Sequence, residues 1–299
     1  KITLLSLQGM LARTKPEILR DAHGHAGVLE NYVTIDRTYY NNFSGLLARY
    51  ANRFSGYILC EAKTASVNVA YSLCAILNAV AVPVDIEQTA ISAGYAKVLD
   101  VRGKDEAWAL ANYGTQFSKN IASYQAVNDD RALFVGDYSV FAGALQFWDA
   151  SATGTLANAV YDRMNPSAVY FGWGAGEYNT VEQLSMHSAM IHPSDWSPNL
   201  SALSNVPVKL PRQKAEPEEF KVVPNVHTVC FVISDGDNIQ WLSGSLNNTN
   251  NWSNPDKSRL KLGWTISPAF AELAPALYKK YIENALTTEN ARNYLVAGP

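Results

Sequence analysis

Two aspartates that could carry chemistry follow an apolar segment in the second half of the chain. The segment, residues 226–233 (V-H-T-V-C-F-V-I), ends in Ser234-Asp235-Gly236-Asp237-Asn238. An apolar run without alternation is typical of a strand covered on both faces in a parallel sheet. Sites in α/β proteins are built at the carboxyl ends of such strands. Because paired carboxylates can act as acid and base or bind a cation, Asp235 and Asp237 are the candidate catalytic residues.

The same five residues have a second interpretation. Asp-Gly and Asp-Asn pairs are common in plain turns, because glycine supplies positive φ and Asx side chains bond to nearby backbone. The sequence alone leaves both the functional loop and the plain turn open.

Composition narrows the classes of partner. The chain has 299 residues, a net charge of −3 and 17% charged residues, with 47% hydrophobic residues to form a core. Without a basic cluster, we expect no nucleic-acid partner, and no apolar run approaches the roughly 18 residues of a membrane span. The oligomeric state stays open.

The sequence gives no reason to expect a cofactor, and its cysteines and histidines do not predict a metal centre. Cys60, Cys74 and Cys230 lie in apolar runs without metal-ligand spacing, which predicts buried, unreactive thiols. His23 and His25 form the one close histidine pair, and no third ligand is near them in the sequence.

The first two hundred residues alternate between strand and helix patterns. Residues 2–7 predict a strand, and apolar spacing over residues 43–54 predicts a helix. Residues 57–60, 67–77 and 80–84 then predict a βαβ unit. This alternation indicates an α/β domain.

A segment rich in proline and charge divides the chain. We place an N-terminal α/β domain at residues 1–204, a linker at 205–225 and a C-terminal domain at 226–299, because proline denies backbone donors to helices and sheets. The C-terminal domain is expected to be (β/α) barrel-like and incomplete in this chain, since a barrel needs about 200 residues or more.

Two further strands are predicted after the acidic segment. They cover residues 260–266 and 294–297, and Ser267-Pro268 starts a helix between them. If the strands are parallel, their carboxyl ends at residues 235–237, 265–267 and 297–298 meet at one edge. We expect Asp235 or Asp237 to face a pocket there, with Trp241 or Trp264 on its wall.

Several local signatures occur along the chain: Leu7-Gln8-Gly9-Met10 with Arg13, Asn68-Val69-Ala70, Phe171-Gly172-Trp173-Gly174, Asp195-Trp196-Ser197 with Asn199-Leu200-Ser201, Ser234-Asp235-Gly236-Asp237-Asn238 with Gln240-Trp241, Gly263-Trp264-Thr265-Ile266-Ser267-Pro268, and Val296-Ala297-Gly298-Pro299. Together they resemble the GxGYxYP family of candidate glycoside hydrolases. The motif that names the family would begin just after Pro299, so this sequence does not contain it.

The resemblance implies a carbohydrate substrate and bacteria that process polysaccharides, and hence a periplasmic or cell-surface location. Tryptophan rings suit the C–H faces of sugars, although such rings also serve in cores and interfaces. The candidate substrate-binding residues are Asn238, Trp241, Trp264, Glu177, Asp195 and Trp196.

Three functions remain open at this point. The leading one is glycoside hydrolysis by carboxylate acid/base chemistry, which generally needs two carboxyl groups. The second is a metal-dependent polysaccharide hydrolase or deacetylase, in which one aspartate binds the ion. The third is a carbohydrate-binding protein without catalysis.

Overall fold

The chain forms two compact units. The structure, a computed structural model, describes residues 1–127, 134–212, 223–285 and 293–297. Unit 1 comprises Lys1–Arg20 and Asp36–Asn205, and unit 2 comprises Asp21–Ile35 and Val206–Pro299. Residues 21–35 therefore cluster with unit 2, whereas the predicted N-terminal domain of residues 1–204 included them. The middle of the predicted 205–225 linker, residues 213–222, lies outside the described part.

Unit 1 alternates helices and strands, as the sequence pattern predicts. Its described helices are α1 (Ile2–Ala12), α3 (Phe43–Tyr50), α4 (Ser66–Leu77), α5 (Glu87–Ser92), α6 (Glu106–Tyr113), α7 (Gly136–Ala142), α8 (Thr155–Arg163), α9 (Glu177–Met186) and α10 (Leu200–Leu203). Its described strands are β1 (Gly56–Cys60), β2 (Ala79–Pro83), β3 (Lys97–Asp100), β4 (Ile121–Tyr124), β5 (Leu145–Phe147), β6 (Val169–Gly172) and β7 (Met190–His192). The α/β class is confirmed.

The described strands of unit 1 form two parallel sheets. One has the order β2-β1-β3 and the other the order β5-β4-β6-β7. Along β1, Ile58 and Cys60 enter one hydrophobic cluster, while Tyr57 and Leu59 enter another. Strand β1 is therefore buried on both faces, as strands of parallel sheets usually are.

Helix α4 connects the two sheets. It packs against β1 and β2 of the first sheet and against β5 of the second. Nine of its residues, including Asn68 and Ser72, are buried. A helix that is covered on so many sides can carry buried polar residues only where they find partners, and the side chain of Asn68 bonds to Glu106 and Gln146.

The first element differs from its prediction. Residues 2–7 were expected to form a strand, but they belong to helix α1, in which every residue but Leu4 is buried. Thr3, Ser6 and Gln8 are buried with the apolar residues. Because this helix has no exposed polar face, its sequence lacks the 3.6-residue alternation that separates a helix from a buried strand.

Unit 2 contains a smaller parallel sheet. Its described helices are α2 (His25–Glu30), α11 (Ile239–Ser243), α12 (Phe270–Leu273) and α13 (Pro275–Ala285), and its strands are β8 (Val232–Ile233), β9 (Leu262–Ile266) and β10 (Asn293–Ala297). The strand order is β10-β9-β8, and both pairings are parallel. Sequential parallel strands are compatible with a (β/α) barrel, and the barrel itself stays a prediction.

The central strand is shorter and more exposed than predicted. Only Val232 and Ile233 of the 226–233 segment form β8, and Val229 and Phe231 are 71% and 64% exposed. Cys230, expected to be buried, is exposed, whereas Cys60 and Cys74 are buried. An apolar run in a sequence identifies apolar side chains, but it does not show which elements pack on them.

Among the helices in the described residues, none combines the length and the apolar character needed to span a bilayer.

Candidate functional site

The acidic turn after β8 is held against the end of β9 by three hydrogen bonds. The backbone N–H of Gly236 donates to Thr265 Oγ1 at 2.9 Å, and that hydroxyl donates to the carbonyl oxygen of Ile233 at 3.0 Å. The backbone N–H of Ser267 donates to the carbonyl oxygen of Gly236 at 2.6 Å. The turn that carries the two aspartates is therefore part of the sheet edge, as predicted from parallel strands.

Glycine is required at the centre of this turn. A Cβ atom on Gly236 would lie 2.0 Å from the carbonyl carbon and oxygen of Thr265. The preceding Asp235 has φ of +76°, a left-handed conformation that Asp and Asn adopt more readily than other side chains. The close contact at Gly236 and the left-handed conformation of Asp235 therefore fix the positions from which the two aspartate side chains extend.

Both aspartates are exposed to solvent, whereas Gly236 between them is buried. Two carboxylates on a rigid turn at the carboxyl edge of a parallel sheet can bind hydroxyl-bearing ligands and exchange protons with them. Asp235 and Asp237 stay the candidate catalytic residues.

Asn238 and Trp241 start the helix that follows. The side-chain Oδ1 of Asn238 accepts the backbone N–H of Trp241 at 3.1 Å, which makes Asn238 the N-cap of α11. Both side chains are half-buried. The capping bond engages the amide oxygen of Asn238, so a substrate would meet chiefly its remaining amide nitrogen.

Trp264, predicted to bind substrate, is a core residue. Its side chain is 5% exposed, its indole N–H donates to Asn293 Oδ1 at 2.8 Å, and its ring contacts Trp252 edge-on at 5.2 Å. A ring that is buried and bonded in this way has no exposed face for a sugar to contact. Successive side chains of a strand point to opposite faces of the sheet. Thr265 lies toward the acidic turn, and the preceding Trp264 therefore lies in the core.

A cleft of about 380 Å³ lies between helix α13 and the carboxyl-terminal parts of β9 and β10. Its walls are Pro211, Arg212, Ile266, Pro268, Tyr278, Ile282, Leu295 and Ala297. Ile266 and Ala297 are the last residues of their strands, so the cleft lies at the predicted edge. Its wall contains neither of the two tryptophans expected there and neither aspartate, and Gly298 lies outside the described residues.

A lysine of unit 2 has a shifted pKa that the sequence did not predict. Burial lowers the pKa of Lys257 to about 8. Its Nζ lies 3.9 Å from the centre of the Trp252 ring and donates to the carbonyl oxygen of the same residue. These contacts connect Lys257 to the core that holds Trp264.

The other predicted substrate-binding residues lie in unit 1. Glu177 is the exposed first residue of α9, and Asp195 and Trp196 follow β7. The Nε2 group of Gln125 donates to Asp195 Oδ1 at 3.1 Å. The Trp196 ring stacks on Phe134 with centroids 5.6 Å apart and planes inclined by 22°. Gln125 and Phe134 carried no signal in the sequence.

A buried polar network in unit 1 also escaped the sequence pattern. The Nδ2 group of Asn68 donates to Glu106 Oε1 at 2.7 Å, and Gln146 Nε2 donates to Asn68 Oδ1 at 2.7 Å. Burial raises the pKa of the Glu106 carboxyl. The three residues of the network come from α4, α6 and β5, so they become neighbours only in the folded chain.

The described residues contain no group of three or more His, Cys, Asp and Glu side chains arranged to hold a metal ion. His25, one of the predicted close pair, is buried, and its Nε2 lies 2.8 Å from the carbonyl oxygen of Ser243.

These features define an α/β protein whose parallel sheets carry polar residues at their carboxyl edges. Three family matches identify it further. Residues 54–117 match the GxGYxYP_N second domain, residues 119–205 the GxGYxYP third domain, and residues 225–299 the GxGYxYP putative glycoside hydrolase C-terminal domain. The chain belongs to the GxGYxYP family, as the sequence signatures predicted.

A solved structure has the same fold. The chain is similar to a putative hydrolase from Bacteroides thetaiotaomicron, with 27% sequence identity and a TM-score of 0.87. The similarity covers 100% of this chain and 60% of that protein, so this chain spans less than two thirds of its solved relative. Comparison with curated proteins gives no match.

Proposed function

We propose that this protein hydrolyses glycosidic bonds in an oligo- or polysaccharide and that Asp235 and Asp237 supply the carboxyl groups. The observation that carries the proposal is the acidic turn, whose backbone is bonded to Thr265 and Ser267 at the carboxyl edge of a parallel sheet. The membership of the GxGYxYP family and the hydrolase-like structural relative support the same class of reaction.

Glycoside hydrolysis uses such a pair in two roles. One carboxylic acid protonates the leaving oxygen, and the other carboxylate either attacks the sugar carbon or activates water. The turn gives the two side chains different surroundings. Asp235 has the left-handed conformation and precedes the glycine that lies against the Thr265 backbone, and Asp237 follows that buried glycine toward α11.

Substrate reaches this edge from solvent, since both aspartates are exposed. Trp241, half-buried one helical turn after Asp237, is the aromatic residue of unit 2 that we assign to sugar contact. The cleft beside β9 and β10 is lined mainly by aliphatic side chains, so we do not assign it to sugar hydroxyls.

The test measures reducing sugar released from a panel of neutral and acidic oligosaccharides. The double variant Asp235→Asn/Asp237→Asn should lose at least about a hundredfold in rate, which is the usual contribution of positioned acid and base groups. Asp256→Asn is the matched control, because Asp256 is an exposed aspartate of unit 2 paired only loosely with Arg259 at 3.4 Å. Full activity in the double variant, or no hydrolysis of any glycan by the parent chain, would contradict the proposal.

A metal-dependent hydrolase remains the alternative prediction, and it predicts loss of activity on chelation. Retained activity in excess EDTA separates the carboxylate mechanism from it.

We further infer a location outside the cytoplasm, in the periplasm or at the cell surface, because long polysaccharides do not cross membranes unaided. Fractionation of the source bacterium tests this. Recovery of the protein with cytoplasmic markers would contradict it.

A further inference from the structure

The second sheet of unit 1 has a topological switch point between β4 and β6. Its order is β5-β4-β6-β7, with all neighbours parallel. The chain leaves β4 for β5 on one side and then returns to β6 on the other side. In sheets of this order a crevice opens beyond the carboxyl ends of the two strands, and ligands bind there.

The loop after β6 is built to pass close to the end of β4. Gly172 has φ of +119° and Gly174 has φ of +73°. A Cβ atom on Gly172 would lie 2.3 Å from the carbonyl oxygen of Tyr124 and 2.1 Å from Gln125 Nε2. The backbone N–H of Gly172 donates to Ser194 Oγ at 3.0 Å. Glycine therefore lets three strand ends converge at one point.

A buried glutamine fixes a carboxylate at this edge. Gln125, the residue after β4, is 1% exposed, and its Nε2 donates to Phe171 O at 3.3 Å and to Asp195 Oδ1 at 3.1 Å. Asp195 is half-buried, and its neighbour Trp196 is 44% exposed. An oriented carboxylate thus lies next in the chain to an accessible indole.

The indole itself rests on a second ring. Trp196 stacks on Phe134, and the Phe134 ring also lies under Lys1 Nζ at 4.0 Å and the Arg20 guanidinium at 5.0 Å. Stacking and cation–π contacts hold Phe134 in place. Trp196 is therefore supported from within the protein while part of its surface stays open.

We propose that this crevice is a carbohydrate-binding site of unit 1. The carboxylate of Asp195 accepts hydrogen bonds from adjacent hydroxyl groups of one sugar ring, and Trp196 packs against the C–H face of that ring. Gln125 is a positioning residue that orients Asp195. The proposal does not depend on the hydrolase activity proposed for Asp235 and Asp237.

The charge at this edge favours a neutral sugar over a nucleotide. In dinucleotide-binding sheets a phosphate sits at the N-terminus of the helix that follows the glycine-rich turn. Here the turn Gly172-Trp173-Gly174-Ala175-Gly176 is followed by Glu177, the exposed first residue of α9. A carboxylate at that position repels phosphate, and it can accept further sugar hydroxyls.

Isothermal titration calorimetry of the whole chain tests the site. The titrants are methyl glycosides and tetrasaccharides of glucose, galactose, mannose and xylose, together with AMP, NAD and FMN. We expect at least one neutral glycan to bind with a Kd of about 1 mM or tighter. Trp196→Ala and Asp195→Asn should each weaken that binding by about tenfold, through loss of ring packing and of a charged acceptor.

Two controls locate the binding. Tyr39→Ala removes another exposed aromatic ring of unit 1, 78% exposed, and should leave the Kd unchanged. In the background of Asp235→Asn/Asp237→Asn, Trp196→Ala should still weaken glycan binding by about tenfold, which separates this proposal from the proposed activity.

Four results would overturn the site: no glycan binding, equal binding by Trp196→Ala and the parent chain, no weakening when Trp196→Ala is added to the unit 2 double variant, or binding of a nucleotide in place of sugars. Trp196 is exposed, so its alanine variant should fold even if Asp195→Asn does not.

Discussion

The hydroxyl of Thr265 bridges two backbone groups of the neighbouring strand end, accepting the N–H of Gly236 at 2.9 Å and donating to Ile233 O at 3.0 Å. The side chain of Thr265 on β9 therefore fixes the path of the backbone directly after β8. Because the two aspartates flank Gly236, their positions depend on the Thr265 side chain.

Gly236→Ala should be strongly destabilising. The new methyl group would lie 2.0 Å from the Thr265 backbone, which must shift to admit it. Overpacking of this kind costs about 1–3 kcal/mol, measurable by urea unfolding followed by fluorescence.

The control for that change is Gly27→Ala. Gly27 lies in helix α2 of the same unit, with no atom within 4 Å of the added methyl group. It should be neutral or stabilising by up to about 1 kcal/mol, because alanine favours helix. Equal effects of the two changes would contradict the close contact at Gly236.

Thr265→Val should weaken the turn by removing the bridging hydroxyl while keeping the β-branched shape. The N–H of buried Gly236 then loses its partner, and we expect a loss of about 1–3 kcal/mol in the free energy of unfolding. Thr265→Ser keeps the hydroxyl and should lose less than half as much. If valine and serine variants are equally stable, the bridge has no energetic role.

Trp264→Phe should lower stability and leave sugar binding unchanged. Phenylalanine cannot donate to Asn293 Oδ1, so a buried acceptor is left unpaired at a cost of about 1–3 kcal/mol. Thermal unfolding and glycan titration of the same sample check both halves. A weaker Kd at unchanged melting temperature would return Trp264 to the substrate site.

Lys257 should make stability rise with pH. Burial lowers its pKa from 10.5 to about 8. Between pH 8 and 10.5 the unfolded chain therefore binds more protons at this residue than the folded chain, and unfolding becomes less favourable as protons are withdrawn. Below pH 8 both states are protonated, and this contribution to the slope disappears.

Other groups of unit 2 titrate in the same range, so the measurement is a comparison. The free energy of unfolding is followed from pH 7 to 10 in the parent chain and in Lys257→Met, which keeps the apolar stem. The parent chain should show the more positive slope above pH 8. Parallel curves would show that Lys257 has an ordinary pKa.

Much of unit 1 could be predicted from its sequence because its signals are local. The apolar spacing of α4 and the short apolar runs of β1 and β2 predict a βαβ unit within about thirty residues. The same local signals did not predict helix α1, whose residues 2–7 were expected to form a strand. Its burial on nearly all sides removes the polar stripe by which a helix is recognised.

One part of the candidate site of unit 2 could likewise be predicted from the sequence, and another part could not. The placement of Asp235 and Asp237 follows from strand direction, and the parallel pairing of β8 with β9 confirms that direction. Trp264 could not be assigned from sequence, because its partners Asn293 and Trp252 become neighbours only in the folded unit.

The contacts that define the unit 1 crevice are likewise distant in sequence. Gln125 and Asp195 are separated by 70 positions, and nothing around either residue marks them as a pair. Sequence reasoning found Asp195 and Trp196 as polar and aromatic loop residues, but it could not find the glutamine that orients the carboxylate.

Chemical rescue at the acidic turn tests whether Asp235 and Asp237 carry the catalysis. Asp235→Gly and Asp237→Gly remove each carboxylate, and glycine accepts the φ of +76° at position 235 without strain. With a glycan that the parent chain hydrolyses, each variant should be slower by at least about a hundredfold. Added azide or formate should restore part of the rate in at least one of them, because a small anion can replace a missing nucleophile or base. Parent-level rates in both glycine variants without any added anion would contradict the assignment of catalysis to Asp235 and Asp237.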